Sequence, residues 1–215
     1  MKKSKLISLC LLVGFIFCSV ATNAQEGKTK FRYGAIGVYA SPYGANSIFW
    51  FDDIDGWGSY DNDGSFAFGL SYMYQLSKYF DIETGIDYSI HNTIYSFSPN
   101  PSYLDPNPDR VFSKHKVEIL SIPMTVRVNF WSYFFANGGA ILSFDISKNN
   151  SPTVNQTGLG AMLGIGAKYD FDFGLSIYVN PYLRTHAIIP FSSAGFHERV
   201  WENGVRIGVT YGIGK

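Results

Sequence analysis

Histidine is the side chain in this sequence best suited to proton transfer or metal binding near neutral pH. It occurs at His91, His115, His186 and His197. His186 is followed by Ser192, Ser193 and Glu198, and serine, histidine and carboxylate are the residue types of nucleophilic catalysis. A catalytic triad is defined by geometry rather than by order along the chain. The spacing alone therefore favours a polar residue at the rim of the fold and a solvated loop over a catalytic site.

An acidic stretch between residues 52 and 63 is the second group whose residue types suit a chemical role. Its carboxylates belong to Asp52, Asp53, Asp55, Asp61 and Asp63. Carboxylate oxygens bind calcium, but the stretch lacks the twelve-residue spacing and the final glutamate of an EF-hand loop. The sequence favours a solvated acidic loop over an ion site, and it contains no phosphate-binding loop, metal cluster or nucleotide motif. We therefore predict a protein without catalytic residues, metal or cofactor.

The elements that position these residues are β-strands, because hydrophobic residues alternate with small or polar ones. In residues 65–77 the hydrophobic face is formed by Phe66, Phe68, Leu70, Tyr72, Tyr74 and Leu76. Successive side chains of a strand point to opposite faces, so this pattern predicts one amphipathic strand. The alternation recurs in residues 80–90, 120–130, 136–146, 158–170, 175–184 and 205–214, and less clearly in 31–41, where its phase stays open. These segments predict eight antiparallel strands, with a bulge at Pro123 and at Pro181.

The predicted connections alternate between long and short. Long ones span residues 42–64, 97–113, 147–157 and 187–203, and short turns lie near residues 77–79, 131–133 and 170–173. This alternation is typical of an up-and-down transmembrane barrel with short periplasmic turns and long external loops. The apolar run at 48–51 in the first loop is either an exposed recognition patch or a continuation of the first strand.

Aromatic residues gather beside the three short turns. They are Tyr74, Tyr79, Phe80, Phe130, Trp131, Tyr133, Phe134, Tyr169, Phe171 and Phe173. Amphipathic rings prefer the boundary between lipid and water, so this group predicts an interfacial girdle. The alternative is aromatic capping at the mouth of a soluble barrel.

Charged residues decide which face of the strands points inward, because nearly all of them lie opposite the hydrophobic face. They are Asp81, Glu83, Asp87, Arg127, Asp145, Lys168, Arg184 and Arg206. A dry protein core does not accept so many ions without a large desolvation cost, and a soluble protein does not expose so many apolar stripes. We therefore predict lipid outside and a polar lumen filled by ion pairs, with Arg127 close to Glu83 and with Asp145 and Arg184 near the outer mouth. A barrel of eight strands is only wide enough to be filled by its own side chains, so a water-filled channel is not expected.

The first 24 residues read as a cleavable secretory signal, and residues 25–215 as the barrel domain. The signal has an early cluster of lysines, an apolar run from Leu6 to Val20 and a small residue, Ala24, at its end. The alternative, lipid attachment at Cys18, is disfavoured by the bulky residues before it. Both cysteines lie in the signal. The mature chain would carry an excess of three acidic residues, because the signal removes three lysines from a chain of net charge zero. This balance argues against binding to nucleic acid.

The chain resembles the small outer-membrane β-barrel proteins common in Bacteroidota, including the PorT-like group. The resemblance is carried by YMYQLSKYFDIETGIDYS, by LSIPMTVRVNF and by VNPYLR, and it covers the mature chain. It implies a monomeric barrel in contact with outer-membrane lipid and lipopolysaccharide. It also implies an extracellular ligand or a secretion-system partner. We expect a non-enzymatic barrel whose four external loops serve surface binding, adhesion or envelope integrity. The alternatives are an accessory barrel of a secretion or transport machine, a lipid-modifying enzyme and a soluble ligand-binding barrel of the periplasm.

Overall fold

The chain folds into one closed antiparallel barrel. The computed structural model describes residues 34–50, 58–97, 111–147, 154–192 and 198–213. Over these residues the strands are β1 Ala35–Trp50, β2 Gly58–Gln75, β3 Phe80–Phe97, β4 Val111–Phe130, β5 Phe134–Asp145, β6 Gly158–Asp170, β7 Leu175–Pro190 and β8 Glu198–Gly212. Each strand pairs with the next, and β1 also pairs with β8, which closes the barrel. The predicted fold class is confirmed, while the predicted signal at 1–24 lies outside the described residues.

Several strands are longer than the sequence predicts. β1 extends to Trp50, and β2 begins at Gly58. β7 extends to Pro190, and β8 begins at Glu198. The predicted boundaries of the loops 42–64 and 187–203 are therefore wrong. In the upper part of β1, residues 44–50 pair with residues 198–204 of β8. Above the lipid both faces of a strand can meet water, so the hydrophobic alternation stops there although the backbone ladder continues. The apolar residues 48–50 thus continue β1, and Phe51 lies outside the described residues.

The hydrophobic faces point outward, as the alternation predicts. On β2, Leu70 is 63 % exposed while Ala67 is 2 % exposed. The sequence leaves open which face of the first strand points outward. In the structure Ile36 and Val38 point out and Tyr39 is buried inside, so β1 also has its aliphatic face toward the outside. Within the described residues, no helix is long and apolar enough to cross a membrane.

A change of character along the outer face of β4 marks the upper edge of the lipid-facing belt. Lys116 and Glu118 are followed by outward-facing apolar side chains from Leu120 to Phe130, a length that suits a tilted strand crossing the hydrocarbon layer. At the edge, the hydroxyl of Tyr88 and the Nζ of Lys116 each donate to Glu118 Oε1 at 2.6 Å. The hydrogen bond to Glu118 raises the pKa of Lys116 above its ordinary value. β3 and β4, of 18 and 20 residues, therefore extend well above the membrane.

The aromatic residues of two of the three short turns, 131–133 and 171–174, form groups of contacting rings at the opposite end of the barrel. Phe130 and Phe134 stack at 6.3 Å between ring centroids, and Trp131 packs edge-on against Phe134 at 5.9 Å. Tyr133 stacks on Tyr169 at 6.3 Å. Tyr169 in turn contacts Phe171 at 4.9 Å, and Phe171 contacts Phe173 at 5.4 Å. Their position at the end of the outward apolar face is that of side chains at a membrane interface.

The predicted bulges at the prolines are wrong. The register on both sides of Pro123 is unchanged, from Thr84↔Met124 to Asp87↔Ser121 on one side and continuously on the other. The register also stays constant between β7 and β8 through Pro181↔Val205. Proline lacks a backbone donor, and here its effect is limited to one interrupted stretch of the ladder beside it.

A bulge does occur on β7 opposite Gly160. The β6–β7 register shifts between Leu159↔Ile189 and Ala161↔Thr185, which leaves His186, Ala187 and Ile188 opposite the single residue Gly160. Ala187 has φ 45°, in the left-handed region that residues other than glycine rarely adopt. A Cβ at Gly160 would overlap the carbonyl oxygen of Thr185. The bulge therefore depends on glycine at this position.

We expect Gly160→Ala to lower the free energy of unfolding by about 1–3 kcal/mol, because the added methyl forces the backbone of β7 to move. The control is Gly138→Ala, whose new Cβ would overlap the mobile end of Leu163, 2.7 Å from its Cδ2, but would stay 3.4 Å from the nearest backbone atom, the Met162 carbonyl oxygen. Urea unfolding in lipid vesicles, followed by tryptophan fluorescence, measures both. Equal stability of the two variants would contradict this account of the bulge.

Candidate functional site

The lower half of the lumen is built around one carboxylate and two guanidinium groups. We call Asp81, Glu83, Arg127, Asn129 and Arg206 the lower cluster. Arg127 Nη2 donates to Glu83 Oε2 at 2.8 Å, and Arg206 Nη1 lies 3.6 Å from Glu83 Oε1. Asn129 Nδ2 donates to Asp81 Oδ2 at 2.6 Å. The sequence pairs Arg127 with Glu83 because both fall near the turn end of neighbouring strands, and the structure has them in contact.

Aromatic rings surround the arginines of the lower cluster. The guanidinium carbon of Arg127 lies 4.1 Å from the ring centroid of Phe135, and that of Arg206 lies 4.4 Å from the ring of Tyr39. Buried cations gain from the negative face of a ring. Phe135 and Tyr39 themselves lie against Gly166 and Gly69, where a Cβ would overlap the rings. The inward glycines that the sequence shows therefore make room for rings rather than for water.

The upper half of the lumen holds a second network, nearer the long loops. We call Asp87, His91, Arg184, His186 and Glu202 the upper cluster. Arg184 donates through Nη1 to Asp87 Oδ2 at 2.9 Å and through Nε to Glu202 Oε2 at 2.7 Å. These three side chains are essentially inaccessible to solvent. Their two acids and one base give the upper cluster a charge of −1 with neutral histidines.

Two tyrosines tie the upper cluster to the barrel wall. Tyr39 donates its hydroxyl to Asp87 Oδ2 at 3.0 Å. Tyr182 donates to Glu202 Oε1, and its oxygen lies 3.0 Å from Ser41 Oγ. Because both oxygens of Glu202 are held, its carboxylate has a fixed position between β7 and β8.

Serine, histidine and carboxylate do come together in the upper cluster, but with residues other than those suggested by the spacing. Ser143 Oγ lies 2.9 Å from His186 Nδ1, and His186 Nε2 lies 3.8 Å from Glu202 Oε2. All three are 0 % exposed. The predicted partner Ser192 is exposed, and Ser193 lies outside the described residues. A serine that is buried in this way is not accessible to a substrate. The burial of all three side chains is what we expect of a structural hydrogen-bond network.

The described residues on either side of the β5–β6 loop are held by hydrogen bonds to β5 and β8. Gln156 is fully buried, and its Oε1 accepts a hydrogen bond from the backbone nitrogen of Val200 at 3.1 Å. Asp145 accepts from the backbone nitrogens of Ser147 and Gln156, each at 2.9 Å. Asp145 was predicted to belong to the ion-pair network near Arg184, and this is wrong: its carboxylate instead caps the backbone of the loop.

The lumen is nonetheless balanced in charge, because Glu202 occupies the role predicted for Asp145. Among the described residues, the buried acids are Asp81, Glu83, Asp87 and Glu202 and the buried bases are Arg127, Arg184, Arg199 and Arg206, while Lys168 is only partly buried. Lys168 lies at the turn end, where its Nζ is 3.3 Å from Asp170 Oδ2. Equal numbers of buried acids and bases let the interior hold many ions without a net charge, which is what a low-dielectric site requires.

A comparison with known protein families agrees with the closed barrel, its apolar exterior and its charged interior. The sequence profile of the outer membrane protein β-barrel domain matches residues 10–212. The chain belongs to this family. It is therefore a protein of the outer membrane, as the sequence predicts. No curated protein matches its sequence.

Comparison with solved structures finds outer-membrane proteins at low sequence identity. OprG from Pseudomonas aeruginosa is 14 % identical with a TM-score of 0.44, and the match covers 84 % of this chain and 96 % of OprG. AlkL in lipid bilayers is 12 % identical with a TM-score of 0.45, covering 88 % and 94 %. Ail of Yersinia pestis is 12 % identical with a TM-score of 0.37, covering 83 % and 99 %.

The lumen network predicted from sequence does not include three residues of the upper cluster, although a signal was present. Glu202 keeps the inward phase of Arg206, and His186 keeps that of Arg184. His91 likewise keeps the inward phase of Asp87. Extending the alternation beyond the predicted strand ends would have found all three residues.

The acidic stretch of the first loop is only partly described. Asp52, Asp53 and Asp55 lie outside the described residues, and Asp61 lies in β2 opposite Ile94. Asp63 is exposed, and Lys114 Nζ donates to its Oδ2 at 3.0 Å. The part of this stretch that is described therefore shows an ordinary surface ion pair.

Proposed function

We propose that this protein is a non-enzymatic, monomeric outer-membrane barrel that presents its external loops for surface binding, adhesion or envelope integrity. The observation that carries the proposal is the combination of a lumen filled by buried ion pairs with strands that continue above the lipid belt. The ion pairs make the barrel rigid, and the long strands end above the membrane surface. Lipid and lipopolysaccharide would contact the apolar exterior.

The filled lumen argues against transport through the barrel. Arg127, Glu83 and Arg206 join β3, β4 and β8 across the lower half, and Arg184 joins Asp87 and Glu202 across the upper half. Opening a path for ions would require several buried charges to separate at once, at a cost of several kcal/mol each.

We therefore expect the purified barrel to produce no stepwise ion conductance after insertion into planar lipid bilayers. A general porin inserted under the same conditions serves as the positive control. Insertion of the barrel is verified separately by the shift in gel mobility between unheated and heated samples. Regular conductance steps from correctly inserted protein would contradict the closed lumen.

The role of the loops is tested by shortening them on an intact barrel. In cells that lack the protein, a variant with residues 51–57 and 98–110 replaced by short turns is compared with the full chain. We expect the variant to reach the outer membrane in folded form but to fail to restore surface adhesion or resistance to detergent. The matched control keeps every loop and turn at full length and only replaces Lys78 with alanine. Full restoration by the loop-shortened barrel would overturn the proposal.

Two alternatives stay predictions that the same cells can test. Stoichiometric co-purification with secretion components would support an accessory barrel of the PorT-like kind. A changed lipid A profile on replacement of His186 would support a lipid-modifying enzyme. The burial of Ser143, His186 and Glu202 supports the non-enzymatic proposal over the second alternative.

A further inference from the structure

Two imidazoles and one carboxylate of the upper cluster converge from three different strands. His91 Nε2 lies 3.6 Å and His186 Nε2 lies 3.8 Å from Glu202 Oε2. One potential ligand atom from each of the three residues can be chosen so that all lie within 4.8 Å of one another. Ligand atoms about 2.0–2.2 Å from a shared zinc ion stand roughly 3.4 Å apart in a tetrahedron. We propose that His91, His186 and Glu202 bind a divalent transition-metal ion inside the upper lumen.

Unsatisfied polar atoms support this proposal. His186 Nε2 is buried and has no hydrogen-bond partner, although nearly all buried polar atoms in proteins have one. The opposite ring nitrogen, Nδ1, lies 2.9 Å from Ser143 Oγ. Such a contact fixes the tautomer and the direction of a metal-binding imidazole. His186 thus has one nitrogen held in place and the other directed toward Glu202.

His91 and Glu202 each require a small rearrangement. Ser89 Oγ lies 3.1 Å from His91 Nε2, so the hydroxyl turns away when this nitrogen binds an ion. Arg184 contacts the same carboxylate oxygen of Glu202 that faces the histidines. It keeps its separate ion pair with Asp87 at 2.9 Å, so Glu202 is free to share its charge between the guanidinium and the metal.

The charge and the local backbone agree with a cation site. The upper cluster carries a charge of −1 with neutral imidazoles, so a divalent ion changes its charge to +1 rather than adding to an existing positive charge. His186 lies at the bulge of β7, immediately before the strained residue Ala187. Bulges redirect side chains and occur often beside functional sites. Here the bulge places both His186 and Ala187 on the buried side.

The ligand set indicates the class of metal. Two imidazole nitrogens and one carboxylate suit zinc and its neighbours cobalt and nickel, whereas calcium and magnesium prefer oxygen ligands alone. With three protein ligands, a fourth position is left for a water molecule. The site has 0 % exposure at all three residues, so we expect the ion to enter while the barrel folds and to leave slowly afterwards.

The test is a titration of the refolded barrel with Co²⁺, whose visible absorption reports ligation by nitrogen. The protein is folded in detergent in the presence of Co²⁺ or Zn²⁺, and its metal content is measured after free metal is removed. We expect one equivalent per folded chain for the wild type. His91→Asn and His186→Asn are each expected to weaken binding at least tenfold, and Ser143→Ala to weaken it about tenfold.

The control is His115→Asn, which changes a described histidine outside the cluster and is expected to bind one equivalent like the wild type. Folding of every variant is checked by the heat-dependent gel shift, and only the folded fraction is counted. A folded wild-type barrel that retains no metal would overturn the proposal. Loss of binding in a control variant, with retention in His91→Asn and His186→Asn, would also overturn it. The proposal does not depend on the function of the external loops.

Discussion

Replacing Glu202 with alanine is expected to lower the free energy of unfolding by about 3–5 kcal/mol, since breaking one side of a buried ion pair leaves an uncompensated charge. Glu202 is fully buried and accepts hydrogen bonds from Arg184 and Tyr182. Without it, Arg184 keeps only Asp87 as an ionic partner. The hydroxyl of Tyr182 also loses its strongest acceptor. The whole upper cluster therefore depends on this one carboxylate.

Urea titration in lipid vesicles containing a chelator measures this loss without any contribution from bound metal. The matched control is Asp63→Ala, which removes the acid of an ion pair with Lys114 that is largely exposed. Exposed pairs contribute about 0–1 kcal/mol. Glu202→Gln should fall between the two, because the amide oxygen still accepts a hydrogen bond. The account of the upper cluster fails if Glu202→Ala is no more destabilising than Asp63→Ala.

Introducing arginine at Leu163 is expected to lower stability by about 2–4 kcal/mol, the cost of a basic side chain facing the middle of a bilayer. Leu163 is 68 % exposed on the outer face of β6, midway between the strand ends. In water such exposure would make the change nearly neutral, so the result separates a lipid-facing surface from a solvated one.

Phe112→Arg is the control for this experiment. Phe112 is 64 % exposed, almost the same as Leu163, but it lies on β4 above Lys114 and Lys116 and so above the lipid belt. Near or beyond the interface an added arginine costs about 0–1 kcal/mol. Unfolding in vesicles is compared for the two variants and the wild type. Similar losses at both positions would show that the belt does not end where the charged side chains of β4 begin.

Within the membrane, the fold could be predicted from sequence because each strand contacts lipid on one face and the polar lumen on the other. Leu70 must face lipid and Asp87 must face the lumen, so the strands after the first show a clear period of two. Above the membrane the rule no longer applies, because both faces can be solvated. The boundaries of β1, β2, β7 and β8 were therefore predicted too short, although the backbone pairing continues past them.

The candidate site was predicted less completely, for two separate physical reasons. Glu202 lies in the part of β8 that was predicted as a loop, and His186 lies just beyond the predicted end of β7, so their inward phase was not followed. The bulge on β7 has no such signal, since Ala187 adopts a left-handed conformation without the glycine or asparagine that usually marks one. Gly160, on the neighbouring strand, is a residue whose type does reflect this bulge.

The pairing of β1 with β8 has a consequence for the time course of biogenesis. Ala35 pairs with Gly212, so the contacts that complete the cylinder join the two most distant described strands of the chain. Until β8 has been synthesised and delivered, the other strands necessarily have two open edges, and open edges are templates for aggregation. Contacts so far apart in sequence also form slowly. Closing the barrel through β1 and β8 is therefore expected to be a late step of folding, and it removes both open edges at once.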